Sequence, residues 1–493
     1  MTREAAPDIK RRTAVSVLWS LAGRGSTTLT SFAIFLLLAR LLTPSEFGLF
    51  ALAAVFVDVT RIIAMSGWTD AVVRASELDE ETLDTAFWSN LGFGVLVAVI
   101  AALVAIPYAR ITGQPMVAQL LWWLAPLVPL SCLGSIHMGQ VLHGFGYRSM
   151  AMRMFVANVL AGGAAVAAAW AGWGVWSLIV QAVVADVANV VTAWFACPWM
   201  PGRKFSIARF RSLVGFTSSM MVTQLLWLLL ARTPDLFIAR SLGPAALGAY
   251  RIGFRMFEMI GQLVLQPVAS VGITTFSRLR ADPAGVERAY LRIVGLLAFV
   301  IFPVMGGFGA VAPEAIPLLF GAKWTSSIGV AQILMGLMIP YLLSFFDGPI
   351  FGAAGRASSL TKIAALQLCL TLLLSWISAP WGLLVVAGAY VLRSFMTLPF
   401  QQYLIWRDTG IRAGRIWAAI VRPLLASLGM VIAVTIMRPV LAPHVGSQLA
   451  LLVLLVATGA LAYSALLLLI AREAILSQLT FVRPLLRRAE AVA

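Results

Sequence analysis

Long apolar windows, each enough to cross a bilayer, recur from one end of this chain to the other. A transmembrane helix needs about 20 mostly apolar residues. Such windows fall at 13–40, 45–66, 86–108, 117–142, 150–171, 175–196, 214–240, 245–270, 288–311, 326–352, 358–379, 381–405, 417–437 and 447–470. Hydrocarbon offers the backbone no hydrogen-bond partners, so windows of this length spaced this way can only become a bundle of membrane-spanning helices. The pattern predicts an all-α integral membrane protein of about 14 transmembrane helices. Only 11% of the 493 residues are charged and 61% are hydrophobic, against about 25% charged in soluble proteins. A soluble enzyme, a disordered chain, a collagen and a disulfide scaffold are excluded. Cys132, Cys197 and Cys369 are scattered and odd in number, and read as small buried hydrophobes.

The loops set the orientation. With the N-terminus in the cytoplasm, 24 of the 36 Lys and Arg fall on the cytoplasmic side, 5 on the opposite side and 7 inside helices. That asymmetry is the positive-inside signal, and it fits an even number of spans. The net charge of +16 is therefore a topology signal, and no nucleic-acid partner is expected. Both termini are expected in the cytoplasm of a multi-pass membrane protein. Trp68, Trp170, Trp173, Trp199, Trp324, Trp381, Trp406 and Trp417 lie near span ends, as interfacial belts do. Asp70, Glu77, Asp79, Glu80, Glu81 and Asp84 read as a solvated face between two spans. Residues 471–493 alternate leucines with Arg483, Arg487 and Arg488, as expected of an amphipathic tail on the anionic leaflet.

A repeat organises the windows. LARLLTPSEFGLF at 38–50 is matched by IARSLGPAALGAY at 238–250, so that Ala39, Arg40, Leu42, Pro44 and Gly48 recur 200 residues later as Ala239, Arg240, Leu242, Pro244 and Gly248. At the same offset Asp58 falls on Glu258. A second block, GQVLHGFGYRSMAMR at 139–153, matches GPIFGAAGRASSLTK at 348–362. Both copies begin with an odd-numbered span, so the repeat is parallel, about an axis along the membrane normal. Internal repeats are common in secondary transporters, with the substrate between the halves. The expected plan is a cytoplasmic N-terminus (1–12), an N-lobe of six helices (13–196), a basic linker (197–213), a C-lobe of six helices (214–405), two additional helices (417–470) and the tail (471–493), with a central cavity between the lobes.

Charges at membrane depth are costly and tend to face a wet cavity. Here they are Arg24, Asp58, Arg61, Asp186, Arg232, Asp235, Arg251, Arg255, Glu258, Asp347, Arg393 and Arg422. Asp58 and Arg61 are three apart on one helix face and can pair, as can Arg255 and Glu258, which leaves Arg251 free. Arg24 sits mid-span among small polar neighbours, Gly23-Arg24-Gly25-Ser26-Thr27, and Asp235 follows Pro234, where a broken backbone could open toward a site. Arg24, Arg61, Asp235, Arg251 and Arg255 are candidates for a substrate cavity suited to an anion such as phosphate. Asp58, Glu258 and Asp347 are candidates for ion coupling. The small run Ala161-Gly162-Gly163-Ala164-Ala165 suits close helix packing. His137, His143 and His444 do not cluster, and no metal-ligand spacing, catalytic triad or nucleotide loop occurs. Neither a metal, a cofactor nor enzymatic activity is expected.

Residues 16–50, SVLWSLAGRGSTTLTSFAIFLLLARLLTPSEFGLF, resemble the N-terminal signature of bacterial polysaccharide flippases of the Wzx type, members of the multidrug/oligosaccharidyl-lipid/polysaccharide exporter superfamily. PDLFIARSLGPAALGAYRIGFRMFE at 234–258, LFGAKW at 319–324 and FGAAGR at 351–356 resemble its second half. The resemblance is strongest to the lipopolysaccharide-biosynthesis exporters that include the colanic acid type, and covers about residues 13–405. It implies two six-helix lobes around a central cavity. The implied activity is movement of an undecaprenyl-diphosphate-linked oligosaccharide across the inner membrane by alternating access. It places Arg24 among the family's cavity arginines and Asp235 at its second-half acidic position. Lipid-linked oligosaccharide, membrane lipids, and the polysaccharide polymerase with other assembly proteins are the implied partners.

Two other readings differ in what the charges do. An ion-coupled small-molecule or drug exporter of the same fold would use the carboxylates, but the arginine excess at membrane depth favours an anionic substrate. A membrane-embedded glycosyltransferase needs a sizeable extracytoplasmic loop, and the longest here is about 312–325.

Overall fold

The computed structural model describes residues 27–65, 67–74, 79–143, 147–278 and 282–470, and every regular element among them is helical. The expectations for Arg24 and for the C-terminal tail lie outside the described residues. By compactness the chain divides into two units. One is built on residues up to Arg251 with Thr371–Gly382, and the other on Ile252–Leu370 with the residues from Leu383 onward.

The first unit holds α1 (Thr27–Leu41), α2 (Pro44–Met65), α3 (Trp68–Arg74), α4 (Glu80–Thr112), α5 (Met116–Leu124), α6 (Leu127–His143), α7 (Tyr147–Trp170) and α8 (Trp176–Ala196). It also takes the start of α9 (Ile207–Arg278). α2 starts where the sequence says it should. Thr43 and Glu46 form a reciprocal cap: the Glu46 carboxylate accepts from the Thr43 N–H at 2.7 Å, and the Thr43 hydroxyl accepts from the Glu46 N–H at 3.4 Å. Pro44 occupies the first helical turn, where its missing N–H costs nothing. α5 and α6 together make one 28-residue span, matching the window at 117–142. The small run on α7 packs as expected. Ala161 and Ala165 are buried, and a Cβ on Gly162 would collide with Ile34 of α1. Ser31 donates to Asn158 at 3.1 Å across the same contact.

α9 carries the windows 214–240 and 245–270. It runs through Pro234, and its break lies instead at Gly243, where φ is +85° and ψ is 173°. Only glycine occupies that region readily, so the backbone opens at the glycine and not at the proline.

The segment after α8 is held by the first turns of α4. The buried Asp84 carboxylate accepts from the backbone N–H groups of Gly202 (2.8 Å) and Lys204 (3.2 Å). Thr85 Oγ1 accepts from the Ser206 N–H, and the Trp88 indole donates to the Gly202 carbonyl. Lys204 pairs with Glu80 at 2.8 Å and Arg209 with Asp79 at 3.3 Å. The expected solvated acidic face is therefore, at Asp79, Glu80 and Asp84, a clasp on the connector, because the facing backbone supplies the N–H donors that carboxylates take.

The second unit holds the rest of α9 with α10 (Pro283–Phe320), α11 (Ser327–Met335), α12 (Met338–Ser344), α13 (Asp347–Ala353), α15 (Leu383–Thr409), α16 (Ala413–Leu441) and α17 (Gln448–Ile470). α14 (Ala357–Ser378) begins here too. The single span expected at 326–352 is broken, with a 53° bend between Ser327–Met335 and Met338–Ala353. Pro340 and Pro349 remove backbone donors on the far side of that break. α16 and α17, the two additional helices, pack on α10. Ion pairs pin α16 to α10 at both ends, Arg415 to Glu287 and Arg438 to Glu314, each at 2.7 Å. Tyr463 of α17 donates to the Phe299 carbonyl.

Among the described residues ten helices are long and apolar enough to cross a membrane, or eleven if the bent pair is one span. Their outward faces carry large apolar side chains such as Leu103, Trp376, Ile436 and Leu461, as lipid contact requires. Trp68 and Trp324 are core residues and not belt residues, since neighbouring helices cover them. Cys132 is buried, but Cys369 is exposed on α14.

Candidate functional site

The charged side chains of the first unit meet far from where sequence spacing would join them. Asp58 and Arg61 share a face of α2 but do not pair. Arg61 reaches Asp186 on α8. Asp58 Oδ2 takes the Arg232 guanidinium of α9 at 2.8 Å. Three-residue spacing brings two side chains near each other but holds neither, whereas a buried carboxylate on a facing helix is left uncompensated unless an arginine reaches it.

Arg251, expected to be free, is also paired. It lies on the far side of the Gly243 break from Asp235, and the turn there brings the two together. Asp235 is fully buried, at 0% exposure. The side chains of Arg251 and Arg232 are 13% and 25% exposed and that of Asp58 is 34% exposed. Arg232 also lies 3.8 Å from Asp235. The result is a line, Asp58–Arg232–Asp235–Arg251, in which two guanidinium groups alternate with two carboxylates, most open at Asp58 and most buried at Asp235. Two guanidinium groups against two carboxylates leave it charge-balanced, with none of the cationic surplus the sequence suggests.

In the second unit Arg255 and Glu258 pair at 3.6 Å within one turn, as spacing predicts. Asp347 is different. It is 3% exposed at the start of α13, beside the bent span. Its Oδ1 accepts from the Gln401 amide at 2.8 Å, and Gln401 Oε1 accepts from Ser344 at 3.1 Å. No cation lies in ion-pair reach among the described residues. Arg393, two turns before Gln401 on α15, is the converse case. It is 4% exposed, donates to Gln367 (3.4 Å) and Ser394 (2.8 Å), and lies over the Tyr390 ring. It too has no opposite charge in reach among the described residues.

The sequence marks all these residues as charges inside apolar windows. It misses Arg232, Asp186 and Arg393 as members of a site: the partner of Asp186 is 125 residues away, the carboxylate that Arg232 bonds is 174 away although Asp235 lies three residues on, and Arg393 gives no signal. No group of three or more His, Cys, Asp or Glu side chains gathers as a metal site among the described residues.

Residues 37–329 match the family described as polysaccharide biosynthesis protein. The succinoglycan biosynthesis transport protein ExoT of Rhizobium meliloti (strain 1021) is 26% identical over 90% of this chain and 92% of its own length. The teichuronic acid biosynthesis protein TuaB of Bacillus subtilis (strain 168) is 22% identical over 86% and 88%. The fold is shared with the lipid II flippase MurJ in its inward closed conformation. The TM-score is 0.76 over 93% of this chain and all of that one, at 12% identity.

Proposed function

The chain belongs to the polysaccharide biosynthesis protein family, and from that premise we propose that it flips an undecaprenyl-diphosphate-linked oligosaccharide, an exopolysaccharide, O-antigen or capsule repeat unit, across the inner membrane. The observation that carries this reading is the line of partly open guanidinium groups at membrane depth, in a chain similar to a polysaccharide transport protein over nine-tenths of its length. Guanidinium forks suit phosphate oxygens bidentately. The protein acts as a secondary transporter and not an enzyme. Its fourteen spans form two six-helix lobes (13–196 and 214–405) and two added helices, with both termini in the cytoplasm. Arg24, Arg61, Asp235, Arg251 and Arg255 line the route of the headgroup. The polymerase and other assembly proteins take up the product.

Of the carboxylates suited to ion coupling, Asp58 and Glu258 are each held by an arginine. Among the described residues Asp347 rests only on neutral groups, and so it is the one that carries the coupling ion. Asp347→Asn should make flipping insensitive to the proton or sodium gradient; unchanged gradient dependence would remove Asp347 from that role.

The deciding experiment uses a deletion strain. Lipid-linked oligosaccharide should accumulate on the cytoplasmic face without the protein and move to the outer face when it is restored. Normal lipid-linked glycan, with altered resistance to cationic compounds, would refute flipping and favour a drug exporter.

A further inference from the structure

Among the described residues three ion pairs join different helical segments in the first unit at membrane depth: Arg61–Asp186, Arg251–Asp235 and Arg232–Asp58. They differ in what would follow if they opened. Freeing Arg61 would strand Asp186, whose side chain is mostly covered, and freeing Arg251 would deprive the fully buried Asp235 of its nearest cation. A buried charge without its partner is strongly unfavourable. The Arg232–Asp58 pair is different on both sides. Asp58 is open enough to be solvated once released, and Asp235, the other neighbour of Arg232, keeps Arg251. Arg232 is thus the one guanidinium of the three that can leave its carboxylate without orphaning a buried charge.

We propose that Asp58 is an internal stand-in for the anionic headgroup of the substrate: it holds the Arg232 guanidinium while the site is empty and yields it to a polyprenyl diphosphate. The inference rests on the flippase reading, and it names Arg232 as a substrate-binding residue and Asp58 as its built-in competitor. The exchange is chemically matched. A diphosphate offers the guanidinium fork more charge and more acceptor oxygens than one carboxylate, so it can displace Asp58, while an uncharged glycan cannot. The competitor keeps Arg232 extended and paired between cycles. Release of Asp58 also removes one tie between α2 and α9, made by residues 174 positions apart, so headgroup capture loosens a contact between helices as it forms.

The test is a double-mutant cycle read as binding of undecaprenyl diphosphate to the purified full-length protein in lipid nanodiscs. Asp58→Asn removes the competitor and should tighten binding about threefold to tenfold, the range set by the worth of a partly exposed ion pair and somewhat above it. Arg232→Gln should weaken binding at least about tenfold, as expected for loss of a charge-assisted contact. The decisive reading is the double variant: Asp58→Asn should have no effect once Arg232 is gone. Should Asp58→Asn not accumulate as folded protein, Asp58→Ser completes the same cycle. Unchanged affinity in the Asp58 variant, or equal tightening with and without Arg232, overturns the inference while leaving the flippase reading standing. Failure of the wild-type protein and all variants to bind undecaprenyl diphosphate overturns both.

Discussion

The two copies of the Pro-x-x-x-Gly element reach the same contact by different local means. In the first copy, Thr43 and Glu46 cap α2 and Pro44 opens it. In the second, Gly243 stands where Thr43 would be and Ala246 where Glu46 would be, so no such cap exists. The chain turns there through the positive φ of Gly243, and the new helix starts inside α9 at Pro244. Yet the two copies interlock reciprocally. A Cβ on Gly48 would land on the carbonyl oxygen of Pro244, and a Cβ on Gly248 would land on that of Pro44. The glycines are retained in both copies because each meets the backbone of the other. The caps differ because a helix start can be made either by side-chain hydrogen bonds or by a glycine turn.

That comparison can be broken most directly at the contact itself. Gly48→Ala and Gly248→Ala should each cost about 3 kcal/mol, the upper range of overpacking, since a backbone carbonyl cannot swing away as a side chain would. Thermal unfolding of the purified protein in nanodiscs should show two similar losses; a benign change at one glycine would mean the contact is not reciprocal. Next in size is Gly243→Ala. It should cost about 2 kcal/mol for a side chain at that φ and ψ, while Thr43→Gly in the first copy should cost much less, because a glycine at a helix start is nearly as good as a hydroxyl. Equal effects would show that the two starts are built alike after all. Smaller again, Glu46→Ala should lose about 1 kcal/mol by removing the reciprocal cap, and Ala246→Glu should return less than that, since Gly243 has a backbone N–H to offer but no hydroxyl.

The smallest effect serves as a control outside the repeat. Thr82 and then the nearby Arg209 guanidinium hold Asp79 below the usual carboxylate range. Its share of the clasp is present above the ordinary aspartate value, about 3.9, and is lost as pH falls through the lowered one. The hydrogen bond and charge of Glu80 raise Lys204, whose share is present below the ordinary lysine value and is lost as pH rises through the raised one. Limited proteolysis of the segment 197–206 should therefore be slowest near neutral pH and faster below about pH 4, with the Gly48 and Gly248 contacts unaffected.

How far the site could be read from the sequence follows the range of the forces involved. The Arg255–Glu258 pair is local and was legible as spacing. The partners of Asp58, Arg61 and Arg251 were not, because an i,i+3 spacing permits a pair without choosing it, and the choice was made by carboxylates on other segments. Pro234 looked like the place where the helix would break, yet the positive φ at Gly243 took that role.

By itself the sequence determined that this chain is a bundle of membrane helices, where most of them lie, and that two stretches 200 residues apart follow one plan. Hydropathy, caps and repeats act through neighbours in the chain and through the solvent, and need no knowledge of the fold. Only the tertiary structure decided which charge faces which, which carboxylate stands without a cation among the described residues, and why Gly48 and Gly248 admit no side chain. In a medium without water an ion is satisfied by whatever polar group the packing brings within about 3–4 Å, and that distance is set by helices the linear sequence does not bring together.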